Sequence, residues 1–224
     1  MLPFDLVIFD LDGTLADTEP DLASALNGVL RELGRAQLPE QHVRTMIGHG
    51  ARALVRKGLA ATGAVTETLV EQAFARFLEL YAKAICVETR PFDGCTEMLD
   101  DLASHGVMAA VCTNKPESLT HHLLAALAWN DRFAAVIGGD TLLVRKPDPA
   151  PLRAAISRAG GRRPVFVGDS ITDADTARAA GVPFVAVTFG YCEGPVQALG
   201  ADAIVTRFAD LLPALGMLGA ASST

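Results

Sequence analysis

LVIFDLDGTL, at residues 6–15, joins an apolar run to two closely spaced carboxylates. The run at residues 6–9 is short and apolar, so it predicts a buried β-strand. Asp10 and Asp12 follow it together with a glycine, a composition that favours a turn. Because open α/β sheets bind their ligands at the carboxyl ends of the strands, the two acids are candidate functional residues.

Two carboxylates this close repel each other unless a cation lies between them or one of them holds a proton. Either arrangement implies chemistry, with one acid as nucleophile or metal ligand and the other as general acid or base. A strand followed by an Asx-type turn would also explain the segment. Three further polar segments, each after its own apolar run, favour the functional interpretation. They are TNKP at 113–116, RKPDP at 145–149 and GDSITD at 168–173.

Length and composition limit the class of protein. The chain has 224 residues, of which 50% are hydrophobic, so we expect a soluble domain with at most a modest insertion. The formal net charge is −7 and no basic cluster stands out, which argues against nucleic acid or an anionic membrane surface as the main partner. No signal peptide or membrane-spanning run is evident. The four cysteines form no CxxC pair, so we expect a reducing compartment and a cytoplasmic protein.

From residue 107 onward, short β-branched runs alternate with stretches rich in Ala and Leu. This alternation predicts an α/β fold, a parallel sheet with helices on both faces. We expect the Asp10 strand between the strands that end at Thr113 and Asp169, because that order brings the polar segments to one edge. The other predicted strands are 107–112, 133–137, 165–167, 184–187 and 203–205, and the predicted helices are 117–127, 150–159, 173–180 and 195–199.

Residues 16–88 have a different pattern, with no convincing strand and with apolar residues at helical spacing. Glycine and proline positions divide the stretch into about four helices. The stretch is too long for an ordinary crossover connection, and it begins directly after the two acids. We therefore predict an all-helical cap at residues 16–88, inserted into an α/β core formed by residues 1–15 and 89–224.

As a set, the four polar segments resemble the signature of the haloacid dehalogenase superfamily, and the resemblance covers residues 5–215. The set is specific, although each segment alone is a weak signal. The resemblance implies a Rossmann-like three-layer core, a parallel sheet between two helical layers, with an inserted helical cap. It also implies that the backbone carbonyl of Asp12 binds the metal ion.

The chemistry of the residues in these segments predicts a reaction at the phosphorus of a phosphate ester. Asp10 can attack phosphorus and form an aspartyl-phosphate, while Asp12 can protonate the leaving oxygen and then activate water. Thr113 and Asn114 offer a hydroxyl and backbone donors to phosphoryl oxygens. Lys146 supplies positive charge in the transition state. These five residues are the predicted catalytic and phosphate-binding groups.

A magnesium site is expected beside Asp10. Asp169 supplies a hard oxygen ligand, and Asp173 lies behind it, so that with Asp10 they suit an octahedral Mg²⁺ that keeps several waters. Asp10, Asp12 and Asp169 are thus the predicted ligands, with Asp173 in the surrounding shell. An N-terminal helix carboxylate would equally explain Asp173, and the two roles are compatible.

Asp12 also favours one reaction within the superfamily. The members that cleave carbon–halogen bonds lack this second acid, so its presence favours a phosphomonoester hydrolase. The sequence is most similar to the bacterial phosphoglycolate phosphatases, which implies 2-phosphoglycolate as substrate. The segments that carry this similarity are DTEPDL at 17–22, IGHGA at 47–51, TNKP at 113–116, GGDT at 138–141, RKPDP at 145–149, GY at 190–191 and DLLPAL at 210–215.

A substrate carboxylate requires a cation, and Arg52 in the predicted cap is the candidate, because a guanidinium binds a carboxylate bidentately. A solvated helix face would also explain Arg52. The alternative substrates are N-acetylmuramic acid 6-phosphate, another sugar phosphate or pyrophosphate. A phosphotransferase of the β-phosphoglucomutase type would use the same scaffold. A binding protein on an inactive fold would too, but it requires the loss of Asp10, Asp12, Lys146 or Asp169, and all four are present.

Overall fold

The computed structural model describes residues 2–192 and 194–221. In chain order its strands are β1 (Leu6–Phe9), β2 (Ala16–Asp17), β3 (Arg90–Pro91), β4 (Met108–Cys112), β5 (Ala135–Ile137), β6 (Pro164–Gly168), β7 (Phe184–Val187) and β8 (Ala203–Val205). Its helices are α1 (Glu19–Glu32), α2 (Glu40–Arg44), α3 (Ala51–Thr62), α4 (Glu67–Lys83), α5 (Cys95–Ser104), α6 (Glu117–Ala126), α7 (Ala150–Ala159), α8 (Ile171–Ala180) and α9 (Leu211–Ala221).

Six strands form a parallel sheet in the order β5-β4-β1-β6-β7-β8. Successive side chains of β1 enter different hydrophobic clusters: Leu6 and Ile8 belong to one, and Val7 and Phe9 to the other. All four are fully buried, because helices cover both faces of the sheet. The predicted α/β fold, a Rossmann-like core of three layers, is confirmed.

The register of the sheet positions the polar segments. Phe9 at the end of β1 lies opposite Val111 of β4 and Val167 of β6. The strands therefore end together, and the residues that follow them meet at one edge. The predicted position of the Asp10 strand between the Thr113 and Asp169 strands is confirmed.

In the chain, helices α1 to α4 lie between β1 and the other five strands of the six-stranded sheet, and together they form the helical region. Leu26, Leu59 and Phe77 from this region are buried in the same cluster as Phe9 of the sheet. The prediction that residues 16–88 contain no strand is wrong, because Ala16–Asp17 pairs antiparallel with Arg90–Pro91. Two-residue strands have no periodicity, so the sequence pattern does not reveal them.

Both ends of the helical region are fixed by side chains. The Asp21 carboxylate accepts hydrogen bonds from the backbone amides of Val87, Glu88 and Thr89 and from the Thr89 hydroxyl, at 2.7–3.1 Å. These bonds join the beginning of α1 to the segment that leads back into β3. The entry and exit of the helical region are thus held side by side.

Other differences from the predicted elements include one shorter helix and two helices, α5 and α9, that were not predicted. Residues 195–199, predicted as a helix, form a short 3₁₀ helix at Val196–Leu199. Helix α5 is absent from the predicted elements, although its buried residues Cys95, Met98 and Leu102 have helical spacing.

Within the described ranges, no helix is long and apolar enough to cross a bilayer.

Candidate active site

Three carboxylates converge at the carboxyl edge of the sheet. Asp10 follows β1, while Asp169 and Asp173 lie in the loop after β6 and in the first turn of α8. One oxygen from each lies within 4.8 Å of the others, and all three residues are buried. Like charges packed this closely out of water require a cation or a proton.

Asp10 is held by its backbone neighbour and by a lysine. Its Oδ1 accepts a 2.7 Å hydrogen bond from the Leu11 amide, and its Oδ2 lies 3.0 Å from Lys146 Nζ. Burial raises the pKa of Asp10 to about 6, against the opposing effect of Lys146. The carboxylate is therefore poised between its charged and neutral forms and is fixed in direction.

Asp169 is held from two sides. Its Oδ1 accepts a 3.0 Å hydrogen bond from the Thr14 hydroxyl, and its Oδ2 accepts a 2.6 Å bond from the Tyr191 amide. Burial, reinforced by the charge of Asp173, raises the pKa of Asp169 to about 8. Gly13 allows this approach, because at its φ of +80° a Cβ would lie 2.6 Å from Asp169 Oδ2.

Lys146 connects the nucleophile candidate to Asp173. Its ammonium lies 2.6 Å from Asp173 Oδ1, and its side chain is 1% exposed. The two carboxylates raise the pKa of Lys146 above its usual range, although burial opposes them. Asp173 also accepts a 2.6 Å hydrogen bond from the Ser170 hydroxyl in a capping box at the start of α8. The expected role of Asp173 at the start of a helix is therefore observed, and its place in the shell around a metal ion stays a prediction.

Asp12 faces a cavity beside this cluster. Its Oδ1 accepts a 2.9 Å hydrogen bond from Lys115 Nζ. The same ammonium donates a 2.7 Å bond to the hydroxyl of Tyr81, on α4. Asp12 Oδ2 accepts no hydrogen bond from the described residues, which leaves that oxygen open to the cavity.

Thr113 and Asn114 follow β4 and line the same cavity. The Thr113 hydroxyl accepts a bond from the Lys115 amide, and the Asn114 side-chain amide donates to the Lys146 carbonyl at 3.1 Å. The Asn114 Oδ1 atom is buried and accepts no hydrogen bond within the described chain. Asn114 therefore offers an unused acceptor, and its own bond orients the loop that carries Lys146.

The cavity has two walls of different character. The sheet wall, from the segments after β1 and β4, is mainly polar and consists of Asp10, Asp12, Thr113, Asn114 and Lys115, with Pro116 and Leu119 at its edge. The helical wall, from the helical region, is mainly apolar and consists of Leu22, Ile47, Leu54, Phe77 and Tyr81. The cavity volume is about 30 Å³, which holds little more than a water molecule. A phosphoester enters only when the walls separate or their side chains move.

Arg52 is not brought to this cavity. Its guanidinium pairs with Glu71 of α4, and its side chain is 38% exposed. Arg52 borders a different surface depression, with Phe74 and Arg145. The reason is helical geometry: Ala51 and Leu54 face the cavity, and Arg52 lies on another side of α3. Arg52 therefore lies outside the cavity in this structure, beside a depression that shares Ala51 and Asn114 with it, and its substrate-binding role stays a prediction.

Four residues of the site were not singled out from the sequence. Lys115 and Tyr81 line the cavity, Thr14 holds Asp169, and the Tyr191 hydroxyl accepts bonds from the amides of Thr18 and Glu19. Lys115 and Thr14 adjoin predicted residues, so proximity in sequence was an available signal. Tyr81 carried none, because an aromatic residue at helical spacing is the ordinary pattern of a core.

The residues present fit a magnesium ion. Mg²⁺ prefers hard oxygen ligands, and Asp10 and Asp169 each direct a buried carboxylate to the same place. The raised pKa values of both acids indicate a site whose charges are incompletely balanced by protein groups. A divalent cation bound there would supply the missing positive charge.

Comparison with known proteins defines the class. The family model of haloacid dehalogenase-like hydrolases matches residues 7–187, which is most of the chain. The protein therefore belongs to the haloacid dehalogenase-like hydrolase family and is an enzyme. The family resemblance expected from the four polar segments is confirmed.

Particular relatives have a narrower description. The phosphoglycolate phosphatase of Caulobacter vibrioides is 47% identical, over 92% of this chain and 88% of its own. That of Rhodospirillum rubrum is 44% identical, over 94% of this chain and 90% of its own. A crystal structure of a predicted phosphoglycolate phosphatase from Haemophilus somnus is 33% identical, with a TM-score of 0.89 over 95% of this chain and 98% of its own.

Proposed function

We propose that the protein is a Mg²⁺-dependent phosphomonoester hydrolase that converts 2-phosphoglycolate to glycolate and phosphate through an aspartyl-phosphate. The observation that carries the proposal is the pairing of Asp10 with Asp12 at one edge of the sheet. Asp10 is fixed by Lys146 and the Leu11 amide, whereas Asp12 keeps one oxygen open to the cavity. The similarity to phosphoglycolate phosphatases over most of the chain supports the substrate.

The reaction has two displacements at phosphorus. In the first, an Asp10 carboxylate oxygen forms a bond to phosphorus as the bond to the glycolate oxygen breaks, and Asp12 donates a proton to that oxygen. In the second, water attacks phosphorus, Asp12 accepts the proton of the water, and the Asp10–phosphorus bond breaks. Asp12 ends with the proton that it gave up, and Asp10 is regenerated.

Neighbouring residues orient the reactants. Lys146 holds Asp10 Oδ2 and so directs the other oxygen of this carboxylate, while its charge offsets that of the phosphoryl group. Thr113, at the end of β4, offers its hydroxyl to a phosphoryl oxygen. Bound Mg²⁺, with Asp10, Asp169 and the Asp12 carbonyl as proposed ligands, would screen the repulsion between the carboxylates and the phosphate dianion.

The helical region is proposed to act as a cap, with residues 16–88 as the cap and residues 1–15 and 89–224 as the core. The helical wall closes one side of the cavity, and its apolar side chains exclude water from the phosphoryl group. Substrate entry then requires the two walls to separate, as in enzymes gated by a lid.

A phosphate-release assay over small phosphoesters tests the proposal. We expect Mg²⁺-dependent release, abolished by EDTA, with 2-phosphoglycolate giving the highest kcat/KM. The comparison set contains pyrophosphate, glucose 6-phosphate and N-acetylmuramic acid 6-phosphate. A higher kcat/KM for one of these would contradict the substrate. Conversion of glucose 1-phosphate only in the presence of a sugar bisphosphate activator would contradict hydrolysis itself.

A further inference from the structure

Lys115 occupies an unusual position for a lysine. Its side chain is 2% exposed, and it lies on the cavity between the sheet wall and the helical wall. Among the described residues that line the cavity, it is the only cation. Burial of a lysine costs free energy unless its charge is paired, so the groups that contact the Lys115 ammonium indicate its role.

The contacts of Lys115 leave donors unused. An ammonium has three hydrogens, and two of them are engaged by Asp12 Oδ1 and the Tyr81 hydroxyl. The Tyr81 oxygen accepts this bond, and its own hydrogen meets no acceptor among residues 2–192 and 194–221. One N–H and one O–H, 2.7 Å apart at their heavy atoms, are therefore available to a bound molecule.

The location of these donors matches the geometry of a short phosphorylated acid. In the proposed reaction, Asp12 contacts the oxygen that leaves phosphorus. In 2-phosphoglycolate a single methylene group separates the carboxylate carbon from that oxygen. Lys115 Nζ lies 2.9 Å from Asp12 Oδ1. The ammonium is therefore only a few bond lengths from the leaving oxygen that Asp12 contacts. The cation is where the second anionic group of the substrate would lie.

Lys146 is unsuited to this role. Its ammonium is engaged by Asp10 and Asp173, and it does not border the cavity.

The helical wall around Tyr81 presents Leu22, Leu54 and Phe77, which offer no side-chain donor to the hydroxyls of a sugar. Apolar surroundings also strengthen the attraction between an ammonium and a carboxylate.

We propose that Lys115 and Tyr81 form the recognition site for the substrate carboxylate, with one donor for each carboxylate oxygen. The proposal rests on the proposed function and specifies its substrate class: a phosphomonoester with one methylene group between the ester oxygen and a carboxylate. Lys115 is the specificity-determining cation, in the place expected for Arg52. Tyr81 brings the helical wall into contact with the same group.

The test compares two substrates that differ only in this group. They are 2-phosphoglycolate and 2-hydroxyethyl phosphate, in which CH₂OH replaces the carboxylate. The measured quantity is the selectivity, the ratio of their kcat/KM values, for the wild-type enzyme and for Lys115→Met, Tyr81→Phe, Arg52→Met and Lys83→Met. Lys83, an exposed lysine on the same helix as Tyr81, is the matched control for loss of one positive charge.

Lys115→Met is expected to lower the selectivity for 2-phosphoglycolate roughly 30- to 10³-fold, because the variant leaves a buried carboxylate without its cation. Tyr81→Phe, which keeps the ring, is expected to lower it about 10-fold. Arg52→Met and Lys83→Met are expected to leave it unchanged. Loss of Lys115 also frees Asp12, so both rates fall, and only their ratio reports recognition.

Equal losses for both substrates in Lys115→Met would overturn the inference, because a residue that acts only through Asp12 affects both alike. If Lys115→Met does not fold, as judged by its thermal unfolding, Tyr81→Phe decides by the same ratio. A wild-type enzyme with no preference for the carboxylate contradicts the inference and leaves the hydrolase chemistry in place. An enzyme that releases no phosphate from either compound contradicts the proposed function itself.

Discussion

The two walls of the cavity differ in what fixes their side chains. On the sheet wall, Asp10 is held by the Leu11 amide and by Lys146, and Asp12 is held by Lys115, at 2.7–3.0 Å. On the helical wall, Leu22, Ile47, Leu54 and Phe77 are held by packing alone. The comparison teaches that, in the proposed function, the sheet edge sets the reaction and the helices set the size and polarity of the reactant.

Lys115 and Tyr81 are where the walls meet. Their hydrogen bond joins the loop after β4 to α4, so the polar pattern of one wall continues into the other. A second connection lies behind the acids, where Tyr191 bonds Asp169 through its amide and the start of α1 through its hydroxyl. The helical region and the cluster of acids are therefore linked structurally.

The largest effect should come from the nucleophile on the sheet wall. Asp10→Asn keeps the shape of the side chain but cannot form an acyl-phosphate, so we expect kcat to fall at least about 10⁴-fold. Phosphate release from 2-phosphoglycolate measures this directly. Asp101→Asn, on the exposed face of α5, is the control and should match wild type. Near-normal turnover in Asp10→Asn would show that the sheet wall does not set the reaction as described.

An intermediate effect should come from pH acting on the metal-binding acids. Burial raises the pKa of Asp169 to about 8 from its ordinary value of 3.8, so between these pH values the metal-free folded protein holds a proton that the unfolded chain lacks. Its contribution to stability is complete below pH 3.8 and is lost as pH rises through about 8. Mg²⁺ must displace that proton, so its affinity should rise by up to about tenfold per pH unit below pH 8.

Calorimetric titration of Mg²⁺ at pH 6 and pH 8, in buffers of different ionisation enthalpy, measures both the affinity and the protons released. Asp169→Asn, which has no proton to release at this position, is the comparison variant and should lose most of the pH dependence. Equal affinities of the wild-type protein at the two pH values would contradict the coupling between metal and buried acids.

The smallest effect should come from the face of α3 that points away from the cavity. Arg52 pairs with Glu71 in a partly exposed position, and such pairs contribute little. We expect Arg52→Met to change kcat/KM for 2-phosphoglycolate by less than about twofold. A large rise in KM for this substrate alone would return Arg52 to the site and would mean that α3 rotates or shifts when substrate binds.

The sequence predicted the sheet wall far better than the helical wall. Asp10, Asp12, Thr113 and Asp169 each follow an apolar strand, and parallel strands of similar length must end at a common edge. That rule is sufficient to bring them together without knowledge of the rest of the chain. The strand order and the grouping of the acids were accordingly predictable.

Side-chain direction on the helices was not predictable in the same way. Arg52 and Leu54 are two residues apart, yet only Leu54 lines the cavity, because adjacent positions on a helix point to different sides. Tyr81 has the spacing of a core residue and differs from one only through its hydroxyl and the arrival of Lys115. Such pairs depend on tertiary packing, which sequence periodicity does not record.

The most direct test of the central claim is to trap the phosphoryl group on the enzyme. The protein is mixed with 2-phosphoglycolate and Mg²⁺ in a single turnover, quenched in acid, digested, and mapped by mass spectrometry. The account predicts one phosphorylated peptide, with the group on Asp10, and this peptide is absent from Asp10→Asn. Two results would contradict the account. One is phosphate release at the wild-type rate with the phosphoryl group on a residue other than Asp10, and the other is a phosphorylated peptide in Asp10→Asn.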